Sequence, residues 1–294
     1  MGVVRRVFAV LFLFSSLVSA TTAPFMLERG FLSPNFFEGG KAGREVSGVF
    51  LNPAGYPHRT TRQIAVDASQ NFLGYDRYSV AAIYPQGPFV FGLGYSQFSA
   101  NDIAKVPLVS TVKATQTGSI SDSYKLMVFT ASTSPRPGLN VGVRAGQFEH
   151  QLSDDLGVGY IFDVGVRQSF ASGLWAGMYT RYLAPMTVHW TKSATDESVP
   201  RQWVGELGYT AYPYSVAVSA DTVYRRVYGE WSLQKRFSAT SDAVWNDKMS
   251  LQRVSIGTVV DFGGFALSYL HLHYTQSELA TDQDVVGLLF RLGD

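Results

Sequence analysis

The side chains of this 294-residue chain that could do chemistry are its histidines and the acids near them. His271 and His273 stand two apart, which in a strand puts both on one face at a spacing a metal accepts. No further His, Asp or Glu cluster follows them, so the pair reads as readily as two satisfied rim residues. His150 with Asp154-Asp155, or His189 with a loop acid, would supply the His/Asp half of a hydrolase. No Gly-X-Ser-X-Gly element accompanies either. The chain has no Cys, which removes thiol nucleophiles, thiolate metal sites and disulfides. The expectation is a protein that is not an enzyme and that carries no cofactor and no metal.

The elements that must position such residues are strands. Tyr214, Val216, Val218 and Ala220 alternate with Ser215, Ala217, Ser219 and Asp221. Val158, Tyr160, Phe162, Val164 and Val166 alternate with Gly159, Asp163, Gly165 and Arg167, and Val254, Ile256, Val260 and Phe262 with Arg253, Ser255, Gly257 and Asp261. Successive strand side chains point to opposite faces, so one face suits lipid and the other water. Charged residues are 16% of the chain against about 25% in ordinary soluble domains. Mean hydropathy is only +0.03, because alternation averages to neutral. After residue 20 no apolar run reaches the length of a membrane helix, so a bilayer would have to be crossed by a closed sheet. A secreted sandwich is the competing reading, disfavoured by the strand length and the low charge.

Arg5 and Arg6, the apolar run 7–18 and the small residues Ser19 and Ala20 read as an export signal over 1–20. Loss of those two arginines takes Lys+Arg from 24 to 22 against 23 acids, a net charge of −1, and nothing points to nucleic acid. Residues 21–57 are non-repetitive and broken by Pro24, Pro34, Pro53 and Pro57. The alternation then occupies 58–294, with strands expected at 62–71, 76–84, 89–98, 107–117, 121–133, 138–151, 157–170, 173–184, 201–211, 213–223, 226–237, 249–262, 264–275 and 283–292. The fold class is therefore all-β, a transmembrane antiparallel barrel of fourteen strands. Tight turns are expected at Ala171-Ser172-Gly173, Tyr212-Pro213 and Gly263-Gly264, and polar loops at 187–199 and 238–247. The alternation of short turns with long loops fails near Tyr224-Arg225-Arg226. Inward ions are expected at Asp67, Lys125, Arg144, Asp163, Arg167, Arg181, Glu206, Asp221, Glu230, Arg236, Arg253, Asp261 and Arg291. With both signs present they read as a bracing network; an anion-selective pore would want one sign.

Asn52-Pro53-Ala54-Gly55 follows Val49-Phe50-Leu51 just before the first strand. Asn before Pro favours a turn, and Gly two residues later can take φ > 0. In this setting the tetrapeptide resembles the Asn-Pro-Ala-Gly element of the FadL-like outer-membrane barrels, a superfamily of long-chain fatty-acid transporters and PorV-like proteins. Asp163-Val164-Gly165-Val166, preceded by Leu139-Asn140-Val141-Gly142-Val143, is similar to a pair of strands in PorV-like chains. The resemblance runs from about Gly43 to Phe170. Only seven residues separate Arg44 from Asn52, so the implied plug is shorter than usual, and the chain ends Leu292-Gly293-Asp294 without a terminal aromatic.

The resemblance implies a short luminal hatch over 21–57 and a channel for passive uptake of long-chain fatty acids or similar hydrophobic small molecules in the outer membrane of a diderm bacterium. A PorV-like barrel that docks exported proteins and a general diffusion porin are the alternatives. The implied partners are outer-membrane lipid, a hydrophobic ligand such as a fatty acid, and the barrel-assembly machinery. For an acyl ligand, Phe36, Phe37, Val49, Phe50 and Leu51 would bury the tail. Arg44 would meet the carboxylate through two parallel hydrogen bonds, or else pair with Glu45 or a lumen acid. Gly92, Gly94, Gly142, Gly165, Gly177 and Gly257 either leave room for the hatch or serve strand packing.

Overall fold

The computed structural model describes residues 46, 48–56, 61–71, 75–104, 119–234, 236–275 and 282–292. A strand buries its backbone polar groups only by pairing on both sides, and in lipid this forces the last strand onto the first. Sixteen strands follow in chain order: β1 (Arg62–Asn71), β2 (Tyr75–Gln86), β3 (Phe89–Ala104), β4 (Ser119–Arg136), β5 (Leu139–Leu152), β6 (Asp155–Ser169), β7 (Leu174–Arg181), β8 (Met186–Trp190), β9 (Asp196–Val199), β10 (Gln202–Ala211), β11 (Tyr214–Ala220), β12 (Tyr224–Gln234), β13 (Phe237–Asn246), β14 (Leu251–Asp261), β15 (Phe265–Tyr274) and β16 (Asp282–Leu292). Fourteen of them form one closed antiparallel ring. Its seam is β1 against β16, in register from Arg62↔Leu292 to Asn71↔Gln283.

β8 and β9 form a hairpin that continues β7 and β10 beyond the ring. The β6–β7 ladder ends at Gly165↔Tyr179, and β8 resumes contact with β6 at Val158↔His189. Residues 182–185 between them interrupt the wall. Tyr182 takes φ 58° there, and the Leu183 amide donates to the Phe162 carbonyl at 2.8 Å.

Connections at the end where β1 begins and β16 ends run from two to four residues, whereas the opposite end carries the β8–β9 excursion. Short turns on one side and long loops on the other are the habit of outer-membrane barrels. The outward face is apolar: Tyr160 is 68% and Ile256 66% exposed, in line with Leu93, Met127 and Val286. Tyr214 stacks near Trp231 and Phe262 on Phe265 at the short-turn end, where aromatic rings fit a lipid–water boundary. The inward face carries Asp67, Arg77, Arg144 and Asp163, all buried.

The ring has the expected number of strands, but its membership differs. The strand expected at 107–117 lies outside the described residues, and β3 pairs directly with β4. The loop expected at 238–247 is instead β13. Its outward Ala239, Ser241 and Ala243 are small and its inward Ser238, Thr240 and Asp242 are polar, so apolar–polar alternation is faint there. With β13 in place, the turn parity around Tyr224 is regular again. The loop expected at 187–199 holds β8 and β9. Lys125 faces outward, 3.9 Å from Glu149, because it shares the face of exposed Met127. Arg236 sits in the exposed turn between β12 and β13 rather than in the lumen.

Candidate functional site

A barrel of this girth encloses space that side chains alone do not fill, and the segment just before β1 enters it. Val46, Val49, Phe50 and Tyr56 are buried there, clustered with inward Ile83, Val90 and Val128. Asn52-Pro53-Ala54-Gly55 forms the turn, with the Gly55 amide donating to the Asn52 carbonyl at 2.8 Å and the Ala54 amide to Asn52 Oδ1 at 2.9 Å. Gly55 achieves this without a positive φ. What it supplies is space, since a Cβ would lie 3.0 Å from the Asn52 carbonyl oxygen.

The wall is hollowed by glycines where the segment rests. A Cβ at Gly142 would stand 2.2 Å from the Pro53 carbonyl oxygen, one at Gly165 2.3 Å from Asn52 Oδ1, and one at Gly94 2.6 Å from Val49. Gly92 and Gly177 likewise face Tyr56 and Asn52, whereas Gly257 meets Leu270 and Thr240 of the wall. Polar bonds then pin each part of the segment. Asn52 Nδ2 donates to Glu206 Oε2 at 3.0 Å, Asn140 Nδ2 to the Tyr56 carbonyl at 2.6 Å, and the Tyr56 and Thr130 hydroxyls lie 2.6 Å apart.

Arg144 joins the segment to the wall. It donates to the Phe50 carbonyl and bonds Asp163 Oδ2 through Nε at 2.7 Å and through Nη2 at 2.6 Å. The second Asp163 oxygen accepts from the Tyr182 amide at 2.5 Å. One buried carboxylate therefore bonds both the arginine that holds this segment and the break between β7 and β8.

Beside the segment lies a cavity, open to solvent, between Leu51 and Asn52 on one side and β6, β7, β10, β11 and β12 on the other. Arg167, Glu206 and Arg226 border it together with Trp175 and Tyr228. The Arg167 guanidinium lies 3.9 Å from the Trp175 ring centroid, and Arg226 is paired with Asp242, which Arg253 also holds at 2.9 Å.

No family model and no curated protein matches the chain. Solved structures do. The toluene transporter TbuX of Ralstonia pickettii superposes with a TM-score of 0.63 over 89% of this chain and 98% of its own, at 12% identity. CymD, a monoaromatic hydrocarbon channel, gives 0.65 over 90% and 97% at 9% identity, and a FadL homologue of Pseudomonas aeruginosa 0.58 over 86% and 96% at 8%. The chain has the fold of the FadL-type barrels. In this FadL-type frame the two stretches that carried the resemblance are ladder neighbours, with Gly142↔Gly165 and Arg144↔Asp163 in register, and both bear on Asn52-Pro53.

Of the residues expected to meet a ligand, Phe36, Phe37 and Arg44 lie outside the described residues. Val49 and Phe50 are wholly buried against the wall, and Leu51 borders the cavity. His150 pairs with Asp122 at 2.9 Å, not with Asp154-Asp155, and stacks on Tyr124. His189 meets Asp196 at 2.7 Å. His271 and His273 are exposed on the outer face, each bonded to an acid of β16, Asp284 and Asp282. Asn140, Thr130 and Tyr182 are contacts that sequence reasoning missed. Asn140 lay within a quoted motif and could have been found from it.

Proposed function

We propose that the chain is an outer-membrane channel for passive uptake of hydrophobic small molecules, exported by its 1–20 signal and closed by a hatch over 21–57. The observation that carries this is a closed barrel, apolar outside, whose lumen is stopped by an apolar segment pinned through single polar bonds beside a cavity. An open porin would leave such a lumen clear. The hydrocarbon and toluene channels that share the fold support the same class of cargo. The break at 182–185 supplies a weak point in the wall next to the hatch clamp. Insertion relies on the barrel-assembly machinery, and Phe36, Phe37 and Arg44 belong to the ligand path in this reading.

The finer choice lies between long-chain fatty acids and compact aromatics. Folded protein in detergent, titrated with fatty acids of increasing length and with toluene, separates them. Affinity that rises with acyl length, at about 0.8 kcal/mol per buried CH₂, selects fatty acids; a response to toluene alone selects aromatics. Absence of saturable binding of any of these in folded protein overturns the channel reading and leaves docking of exported proteins.

A further inference from the structure

We infer that the β8–β9 hairpin is a hinged lid over an apolar entry site at the long-loop mouth of the lumen, latched by Trp190 on His150. That cargo enters beneath it rests on the channel reading. The hairpin joins the ring across a line of broken pairing: the β7–β10 ladder ends at Arg181↔Gln202 and pairing resumes only at Met186↔Val199. Pro185 and Pro200 flank the resumed pair, and a proline has no N–H to give a ladder. Both strands are interrupted at one level, so the hairpin can swing as a unit.

What it covers is apolar. Met186, Val188 and Val199 on its underside are buried in one cluster with the inward side chains Tyr124, Leu126 and Ile161. Gly157 and Gly159 make room for them, since a Cβ there would lie 2.8 Å from Val188 and 3.1 Å from Met186. Trp190, the ladder partner of Gly157, meets His150 of β5 edge to face, with ring centroids 4.8 Å apart. His150 is itself fixed, stacked 4.0 Å from the Tyr124 centroid and bonded to Asp122 at 2.9 Å. The tip is held by Asp155, which accepts from the Lys192 and Ser193 amides at 2.8 and 3.1 Å. Lifting the hairpin bares its underside to water, a cost that a hydrophobic guest beneath it offsets.

The chain has no cysteine, so Val188→Cys places a single thiol under the lid. A charged maleimide should label it slowly in the detergent-folded full chain, and adding Trp190→Ala should raise the rate at least tenfold. Trp190→Phe, which keeps an aromatic edge, should stay near the parent rate. Ala266→Cys, buried in the wall on β15, should label alike with and without Trp190→Ala. Different gel migration before and after boiling verifies that each variant is folded. Equal labelling of Val188→Cys in all three backgrounds, or an equal rise at Ala266→Cys, overturns the inference. Entry is read with the double variant Val158→Cys, His189→Cys, whose disulfide joins ladder partners and fastens the hairpin to β6. Toluene and decanoate should associate at least tenfold more slowly with the oxidised form, and dithiothreitol should restore the rate. Unchanged association overturns the entry role and leaves the channel reading standing. Failure of both probes to bind to any folded form overturns the channel reading and the entry role together, while the labelling still decides the lid.

Discussion

Replacing Gly142 by Ala puts the seating of the hatch to a quantitative test. The new Cβ would lie 2.2 Å from the Pro53 carbonyl oxygen and 2.9 Å from the Ala54 nitrogen. Carbon–oxygen contacts are comfortable only from about 3.3 Å, so Pro53 must retreat by roughly 1 Å. Both obstacles are backbone, and no rotamer change relieves them. Overpacking of this kind costs about 1–3 kcal/mol. The retreat also stretches the 3.0 Å bond from Asn52 to Glu206, and a hydrogen bond to a charged group is worth about 1.5–3 kcal/mol. The seated state should lose about 2.5–6 kcal/mol, roughly 10² to 10⁴ in its ratio to unseated states. The ladders on either side of β5 are untouched, so the boiled and unboiled protein should still migrate differently on SDS gels. Single-channel recording in planar bilayers should show longer and larger openings than wild type. Gly229→Ala is the control, because its nearest neighbour would be the Ser241 hydroxyl at 3.6 Å. Identical conductance in the two variants would refute the seating argument.

Val218 faces outward between Leu207 and Val227, and Val218→Arg should impair insertion, since a lipid-facing cation near the midplane costs about 2–4 kcal/mol. Ser219→Arg, one residue on and pointing into the cavity, should insert normally but block ligand; equal insertion defects would contradict the facing. Asp163→Asn leaves Arg144 buried without its charge partner, a loss of about 3–5 kcal/mol. It should lower the temperature at which the compact gel band converts to the unfolded one. The double change Arg144→Met, Asp163→Leu should convert at a higher temperature than Asp163→Asn alone, and a lower one would argue against an uncompensated charge as the cause.

Legibility followed side-chain contrast. β1 spans the expected 62–71 because Ile64 and Val66 stand clear of polar neighbours, and the Pro and Gly turns bracket their strands. β13 was hidden because its middle, from Ser238 to Ala243, is small or polar on both faces, and a two-residue period is visible only when the faces differ. Lys125 was misplaced because one charged residue in a strand fixes no face unless its neighbours do. Arg144, Asp163 and Glu206 could be assigned to the lumen from spacing, but their partners could not. Phe50 and Arg144 are 94 residues apart, and only closure of the ring makes them neighbours.

The β1–β16 seam also sets an order of assembly. Its strands come from opposite ends of the described chain and meet through ten residue pairs, so this ladder is the pairing of greatest sequence separation and carries the largest loop-closure entropy. The hatch precedes β1 directly and is clamped by β5, β6 and β10. Those strands can form a cradle while the sheet is still an open trough. The segment can settle into that trough before the seam zips, which spares it entry into a finished barrel. A defect in the cradle would then delay closure, and the open edges of β1 and β16 would remain available to other chains for longer.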